Sequence, residues 1–160
     1  MKAATLLGLT AVLAVCFSVM APAAEAATIW KGPKFIFKKF RIYNPLDPAY
    51  QDRLTPKVWL TRGTNQSLYN IRQEGGFNRP VSPADTEWAW GTTADLPNLT
   101  FTPWAVRNNQ CSPCHVGRDG VIHLISEDIY IDIKILSWEP TSGNTIYERS
   151  TPSGGVSPLI

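Results

Sequence analysis

Residues 128–136 read DIYIDIKIL, in which isoleucine occupies every second position from Ile129 to Ile135. Because successive side chains of a β-strand point to opposite faces, this alternation predicts a strand with one apolar and one polar face. Four isoleucines on one face contribute about 6–12 kcal/mol of transfer free energy, at about 1.5–3 kcal/mol each, as an upper bound. We therefore expect this strand to lie at the centre of the core.

The rest of the chain predicts further short strands joined by turns. Residues 27–43, 58–61 and 146–149 are rich in strand-forming residues, and residues 121–125 are apolar at every position except His123. Short helices are predicted over residues 68–74 and from Ser82, where Ser-Pro-Ala-Asp is a typical helix start. The thirteen prolines and eleven glycines argue against a long-helix bundle. The sequence predicts a mainly β fold: an antiparallel β-sandwich or small barrel with one or two short helices.

The first 26 residues have the features of a signal peptide. Lys2 precedes an uncharged apolar run from Leu6 to Met20, and Ala24-Glu25-Ala26 matches the small-x-small cleavage pattern. We expect cleavage near Ala26, a secreted β domain over residues 27–150 and a flexible tail over residues 151–160. The protein is then periplasmic or extracellular, and we expect no stable membrane span.

Charge and motif content exclude several classes of function. The chain has 15 Lys and Arg against 13 Asp and Glu, a net charge of +2, so we expect no nucleic-acid partner. Phosphate-binding and dinucleotide-binding glycine motifs and the His-Glu-x-x-His zinc motif are absent from the sequence. Locally, residues 31–41 contain five positive charges and no acid: Lys31, Lys34, Lys38, Lys39 and Arg41. This pattern is typical of an edge strand protected by lysines, or of a docking patch for an acidic partner or membrane surface.

Several segments resemble a group of secreted bacterial β-rich domains for which no activity is established. They are RLTPKVWLTRG at 53–63, SLYNI at 67–71 with Glu74, SPADTEW at 82–88, and HLISEDIYIDIK at 123–134 with Ser137 and Trp138. The resemblance covers residues 28–152 and implies export and a β fold, but no reaction. In that group the loop before the His-Leu-Ile strand is variable and has no cysteine pair, so the pair found here is an addition to a generic scaffold.

The added loop reads Cys111-Ser-Pro-Cys114-His115, the attachment motif of c-type haem. Two cysteines at this spacing reach the two vinyl groups on one edge of a porphyrin, and the adjacent imidazole lies under the iron. The motif uses every cysteine that remains after signal removal and one of only two histidines. The sequence therefore predicts one covalent haem c, held by Cys111 and Cys114, with His115 as the proximal iron ligand.

Few residues of the predicted mature chain are suited to the remaining contacts with the haem. Arg107 and Arg118 flank the motif and are candidates for contacts with the haem propionates. The predicted mature chain has no methionine, so His123 is the candidate distal ligand. The eight residues from His115 to His123 span up to about 26 Å when extended, enough for the two histidines to reach opposite haem faces. In the alternative, His123 is a core histidine with a structural hydrogen bond.

Two other assignments of the cysteine pair stay open at this point. An exported chain is exposed to an oxidising environment, which favours a Cys111–Cys114 disulfide with His115 as a bystander. A zinc ion would instead use both cysteines with His115 and His123, although adjacent Cys114 and His115 make one tetrahedral cage awkward.

These observations predict an electron carrier or binding module rather than an enzyme. The leading hypothesis is an exported single-haem c-type cytochrome-like protein that transfers electrons between periplasmic or extracellular partners, or through self-assembly. The alternative is a haem-free secreted structural or adhesion module in which Cys111 and Cys114 form a disulfide and the basic strand makes contacts. A third hypothesis is a haem sensor or peroxidase with an open distal site.

Overall fold

The computed structural model describes residues 27–107 and 111–154, and the predicted signal peptide and residues 155–160 lie outside this range. Within it, nine strands occupy Thr28–Trp30 (β1), Phe35–Lys39 (β2), Asp52–Arg53 (β3), Trp59–Arg62 (β4), Leu68–Asn70 (β5), Thr86–Trp90 (β6), Asp119–Leu124 (β7), Ile129–Trp138 (β8) and Thr145–Arg149 (β9). One α-helix spans Trp104–Arg107 (α1), and 3₁₀ turns span Pro48–Tyr50, Thr93–Asn98, Ser112–His115 and Ile125–Glu127.

The isoleucine-rich strand β8 is the central strand of the larger sheet. It pairs antiparallel with β7 along one side, while β1, in parallel, and β9, antiparallel, share its other side. The strand order of this sheet is β2-β9-β8-β7-β6, so β2 and β6 are its outer strands. Ile131, Ile133 and Ile135 are at most 4% exposed, so the predicted alternation and the central position of this strand are confirmed.

A second sheet of three strands, in the order β3-β4-β5, contributes to the same core. Leu60 and Leu68 from this sheet are fully buried, as are Trp88 and Ile122 from the larger sheet. Two mainly antiparallel sheets that share one apolar core form a sandwich-like arrangement, so the predicted mainly β fold with short helices is confirmed. Among the described residues, no helix has the length and apolar character needed to cross a bilayer.

Two helix predictions are wrong. Residues 68–70 form β5, in which Leu68, Tyr69 and Asn70 are all buried, because β4 provides a hydrogen-bonding edge for them. Residues 86–90 form β6, which pairs with β7 over five positions. At the expected helix start, Asp85 has a φ of +60°, which no right-handed helix accepts. In both places strand pairing outweighs local helix preference.

The residues directly after the predicted boundary at residue 150 make contacts with the β1–β2 turn. Thr151 is 6% exposed and its hydroxyl donates a hydrogen bond to the carbonyl of Pro33 at 2.8 Å. The amide of Gly32 donates to the carbonyl of Thr151 at 2.8 Å, and an added Cβ on Gly32 would overlap the carbonyl oxygen of Pro152. The first residues of the predicted tail therefore pack against the β1–β2 turn.

A buried polar cluster joins the two sheets. The guanidinium of Arg149 in β9 donates to both carboxylate oxygens of Asp52 in β3, with Nη2–Oδ1 at 2.6 Å and Nε–Oδ2 at 2.8 Å. The hydroxyl of Tyr147 donates to the same carboxylate at 2.8 Å. Burial, and then the charge of Asp52, raises the pKa of Tyr147 well above its ordinary value of 10.0. The cluster fixes one sheet against the other and gives Arg149 its counter-charge inside the protein.

Candidate functional site

Cys114 lies in the 3₁₀ turn Ser112–His115 that precedes β7, Cys111 caps the start of that turn, and their sulfurs form a disulfide. Their Cα atoms are 5.3 Å apart, within the usual range for disulfides. The amide of Cys114 donates to the carbonyl of Cys111 at 3.0 Å, which closes the turn. Cys114 is exposed and Cys111 is half-buried. This arrangement corresponds to the disulfide alternative for the motif.

His115, the predicted proximal iron ligand, points into the core and is 1% exposed. Its ring packs against two indoles, with ring centroids 4.5 Å from Trp90 and 4.6 Å from Trp104. Trp90 comes from β6 and Trp104 begins α1, so the sheet and the helix together enclose the imidazole. The histidine anchors the cysteine turn to the sandwich by aromatic packing.

His123, the predicted distal ligand, is held by two carboxylates. Its Nδ1 lies 2.7 Å from Oε1 of Glu87, and its Nε2 lies 3.1 Å from Oδ1 of Asp128. Glu87, His123 and Tyr130 occupy one row across β6, β7 and β8, and the imidazole stacks on Tyr130 with ring centroids 4.1 Å apart. Burial, and then a hydrogen bond with Asp128, raises the pKa of Tyr130. This geometry corresponds to the alternative in which His123 has a structural hydrogen-bonding role.

The two histidines lie on opposite faces of the larger sheet. His115 stacks on Trp90 and His123 contacts Glu87, and these two residues of β6 are three positions apart. Because side chains alternate along a strand, residues separated by an odd number point to opposite faces. The structure therefore does not bring the two predicted iron ligands together.

The residues as placed do not fit a covalent haem. Thioether attachment needs two free thiols, whereas Cys111 and Cys114 are bonded to each other. His115 packs against two indoles and is almost fully buried, and the cavity beside it measures only about 10 Å³, room for about one water. Cofactor sites have volumes of about 300–1,000 Å³. Haem attachment, with either assignment of His123, remains a prediction of the motif and requires a different arrangement of this turn.

Of the two predicted propionate contacts, Arg118 lies near His115, since both residues line the same small cavity. The guanidinium of Arg118 lies 3.7 Å from the ring centroid of Trp90, a cation–π contact. Arg107 ends α1, and its side chain lies outside the described part of the protein. Across residues 27–107 and 111–154, no three His, Cys, Asp or Glu side chains form a group that could hold a metal ion. The zinc alternative therefore finds no support in this geometry.

The basic stretch is divided by the fold into residues with different roles. Lys39 is 2% exposed, and its ammonium donates to the carbonyls of Phe40 and Tyr43, so it is structural. Burial, and then the nearby charge of Arg62, lowers the pKa of Lys39. Lys38 and Arg41 are exposed on or just after the edge strand β2, whereas Lys31 and Lys34 lie in the β1–β2 turn.

That turn forms one wall of an open cavity of about 360 Å³. Lys31, Gly32 and Lys34 line it on one side, and the start of the 3₁₀ turn after β6, Asp132 of β8 and Ser150 complete it. The ammonium of Lys34 lies 3.3 Å from the hydroxyl of Ser150. The walls are fixed by backbone hydrogen bonds, from Gly32 to Thr151 at 2.8 Å and from Ser150 to Asp132 at 2.9 Å. The cavity is part of the folded scaffold.

The electrostatics of this cavity favour an anionic group. Among the described residues that line it, the one carboxylate is that of Asp132, which accepts hydrogen bonds from the amide of Thr93 at 2.7 Å and from the hydroxyl of Thr93 at 3.0 Å. Both carboxylate oxygens therefore have protein partners. The two exposed ammonium groups exceed this single negative charge, and the nearby hydroxyls supply further hydrogen-bonding groups.

Sequence reasoning identified the two lysines of this cavity but not the cavity. Thr92, Thr93 and Ala94 are about 60 residues from Lys31 in the chain and reach it only because β6 ends nearby. The alternation of residues 128–136 placed Asp132 on the polar face, which is the only local signal that pointed here. The pairing of β1 with β8, which aligns Trp30 with Ile131, brings the lysine turn to that face.

Comparison with known proteins gives no relative from which a role could be transferred: no family model, no curated protein and no solved structure matches the chain. The resemblance to secreted bacterial β-rich domains therefore remains a prediction.

Proposed function

We propose that this chain is an exported, haem-free binding module that holds a carboxylate-bearing group of an acidic partner in the cavity beside Lys31 and Lys34. The observation that carries the proposal is the cavity of about 360 Å³, whose described lining has these two lysines and one hydrogen-bonded carboxylate. Its volume lies within the range of small-molecule sites, so it has room for one acidic unit of a polymer such as a sugar acid.

The haem-free part of the proposal rests on the cysteine turn. A Cys111–Cys114 disulfide removes both attachment points, and the core position of His115 makes it part of the packing. An exported protein reaches an oxidising compartment, in which such a disulfide persists. Nothing in this proposal requires a catalytic group, and the module acts by binding.

A polymer-binding experiment tests the cavity directly. The purified protein is titrated with polygalacturonate, and with dextran as an uncharged polymer, by calorimetry at low salt and at about 0.15 M salt. We expect binding to polygalacturonate only. Replacing Lys31 and Lys34 together by glutamine should weaken it at least about tenfold, or about 1.4 kcal/mol. This corresponds to about 0.7 kcal/mol per lysine, within the range of about 0.2–1 kcal/mol for exposed charge pairs.

Lys38→Gln provides the matched control, because Lys38 is exposed in the same basic stretch but does not line the cavity. We expect this variant to bind polygalacturonate nearly as well as the unmodified chain. If Lys38→Gln weakens binding as much as the double variant, the whole basic surface attracts polyanions and the cavity is not the site. Absence of polygalacturonate binding at low salt would contradict the proposal.

The competing function is the haem-dependent electron carrier, which one specific observation favours: the Cys-x-x-Cys-His spacing at residues 111–115. Expression in a host with haem-attachment machinery separates the two functions. After denaturation, a retained pyridine haemochrome band would establish covalent haem. We expect a colourless preparation in which peptide mapping finds Cys111 linked to Cys114.

A further inference from the structure

The two cysteines of the disulfide turn differ in exposure. Cys114 is exposed while Cys111, three residues earlier, is half-buried at the start of the same turn. Thiol–disulfide exchange requires a thiolate to approach one sulfur along the S–S bond, so access selects the sulfur that is attacked. Partly exposed cysteines in Cys-x-x-Cys spacing are typical of reactive pairs, whereas structural disulfides are resistant to exchange.

The turn is anchored to the sandwich by contacts that do not involve the disulfide. Immediately after Cys114, His115 is enclosed by Trp90 and Trp104. Val116 forms a β-bridge with Ile135, and the amide of Gly117 donates to the carbonyl of Ile135 at 2.8 Å. These contacts hold the chain against β8 whether or not the S–S bond is closed.

A second set of contacts holds the middle of the turn. The hydroxyls of Ser112 and Ser67 lie 3.4 Å apart, and Ser67 also accepts a hydrogen bond from the indole nitrogen of Trp104 at 2.7 Å. With anchors both between and after the cysteines, opening the bond leaves two thiols that remain neighbours. Thiols held in this way re-form their disulfide readily, because closure needs little further loss of chain entropy.

The disulfide also restrains little of the chain. It closes a loop of only four residues, from Cys111 to Cys114. The stabilisation expected from a cross-link grows with the length of the loop that it closes, so this loop lies at the low end of the scale. Reduction therefore leaves the sandwich folded, and the pair can cycle between two states on a stable scaffold.

We propose that Cys111 and Cys114 form a redox-active pair that exchanges disulfides with a dithiol of another exported protein. A partner thiolate attacks Sγ of Cys114, the S–S bond breaks, and the electron pair leaves on Sγ of Cys111, which takes up a proton. The second partner thiol, losing its proton, then attacks the mixed disulfide and displaces Cys114, which takes up a proton in turn. The chain gains two electrons and two protons, and the partner dithiol becomes a disulfide. This activity goes beyond the proposed binding function and uses a different part of the molecule.

The test uses the full folded chain with dithiothreitol as the reducing dithiol and glutathione disulfide as the oxidant. Thiols at Cys111 and Cys114 are counted by alkylation and peptide mapping, and circular dichroism monitors the fold. We expect reduction without loss of β structure and complete re-oxidation. Reduction that occurs only when the chain also unfolds in urea would overturn the proposal, as would the finding that both cysteines are bound to haem.

Two single variants identify the attacked sulfur. In Cys111→Ser the remaining thiol is Cys114, and in Cys114→Ser it is Cys111. We expect Cys114 in the first variant to form a mixed disulfide with glutathione disulfide at least about tenfold faster than Cys111 in the second. Equal rates, or a faster reaction at Cys111, would overturn the assignment. The Lys31 and Lys34 variants should leave both rates unchanged, so this result is independent of polygalacturonate binding.

Discussion

Replacing Asp52 with alanine should destabilise the protein by about 3–5 kcal/mol, the cost of leaving one charge of a buried pair uncompensated. Asp52 is 3% exposed and Arg149 is fully buried. The carboxylate accepts two hydrogen bonds from Arg149, at 2.6 and 2.8 Å, and one from Tyr147 at 2.8 Å. Without it, the described contacts of the guanidinium include the Ser150 carbonyl at 3.1 Å, which carries no full charge.

Urea unfolding followed by tryptophan fluorescence measures this effect, because the chain has six tryptophans. The double variant Asp52→Ala with Arg149→Met removes both charges. We expect it to lose less stability than Asp52→Ala alone, because with both charges removed no unpaired charge remains buried. Asp119→Ala is the surface control: Asp119 pairs with Lys134 at 2.8 Å, but its side chain is 57% exposed. We expect this control to cost less than about 1 kcal/mol.

Two outcomes would refute the reasoning. A loss below about 1 kcal/mol in Asp52→Ala would mean that the guanidinium of Arg149 reaches water or another partner, so that it is not left as an unpaired buried charge. A double variant with the summed loss of both single variants would mean that the two residues act independently, contrary to the shared hydrogen bonds.

Three further predictions concern single features. Burial raises the pKa of Tyr147 well above 10.0, so above pH 10 the unfolded chain binds fewer protons than the folded chain. The free energy of unfolding should therefore fall by up to about 1.4 kcal/mol per pH unit from this group. Tyr147→Phe should reduce this dependence on pH, measured by urea unfolding from pH about 9 to about 11. Gly32→Ala should lower the stability of the protein and weaken polygalacturonate binding measured by calorimetry, because the added Cβ overlaps backbone atoms beside the cavity. Gly75→Ala is the control: its Cβ has open space around it, so neither stability nor binding should fall. Replacing both Cys111 and Cys114 by serine should cost about 2 kcal/mol in urea unfolding, as expected for a four-residue loop; a loss above about 4 kcal/mol would contradict the limited structural role of the disulfide.

The sequence predicted the strands whose pattern is set by burial, and missed those set by pairing. Ile131, Ile133 and Ile135 reveal β8 because one face meets the core. Residues 86–90 contain two tryptophans at alternate positions, but their helix-like start concealed the strand. What makes β6 a strand is hydrogen bonding to β7, more than thirty residues later in the chain, and no local pattern encodes that partner.

The same distinction applies to the candidate sites. The residues of the cysteine turn could be located from spacing alone, but the burial of His115 could not, since it depends on Trp90 and Trp104 from two other elements. The opposite placement of His115 and His123 follows from side-chain alternation along β6, where Trp90 contacts His115 and Glu87 contacts His123. For the cavity, the sequence located two charges, and the fold supplied the other walls.

The chemistry of a Cys-x-x-Cys-His motif therefore depends on where the fold places its histidine. A haem ligand must present a ring nitrogen to an open space large enough for a porphyrin, and its two cysteines must remain separate thiols. In this chain the imidazole of His115 is buried against two indoles, so the histidine of the motif anchors the cysteine turn to the core. An anchored histidine keeps the two cysteines close together, one of them exposed, and proximity is the condition under which two thiols form a disulfide. The packing that leaves no room for haem at this turn is thus the packing that favours disulfide exchange there.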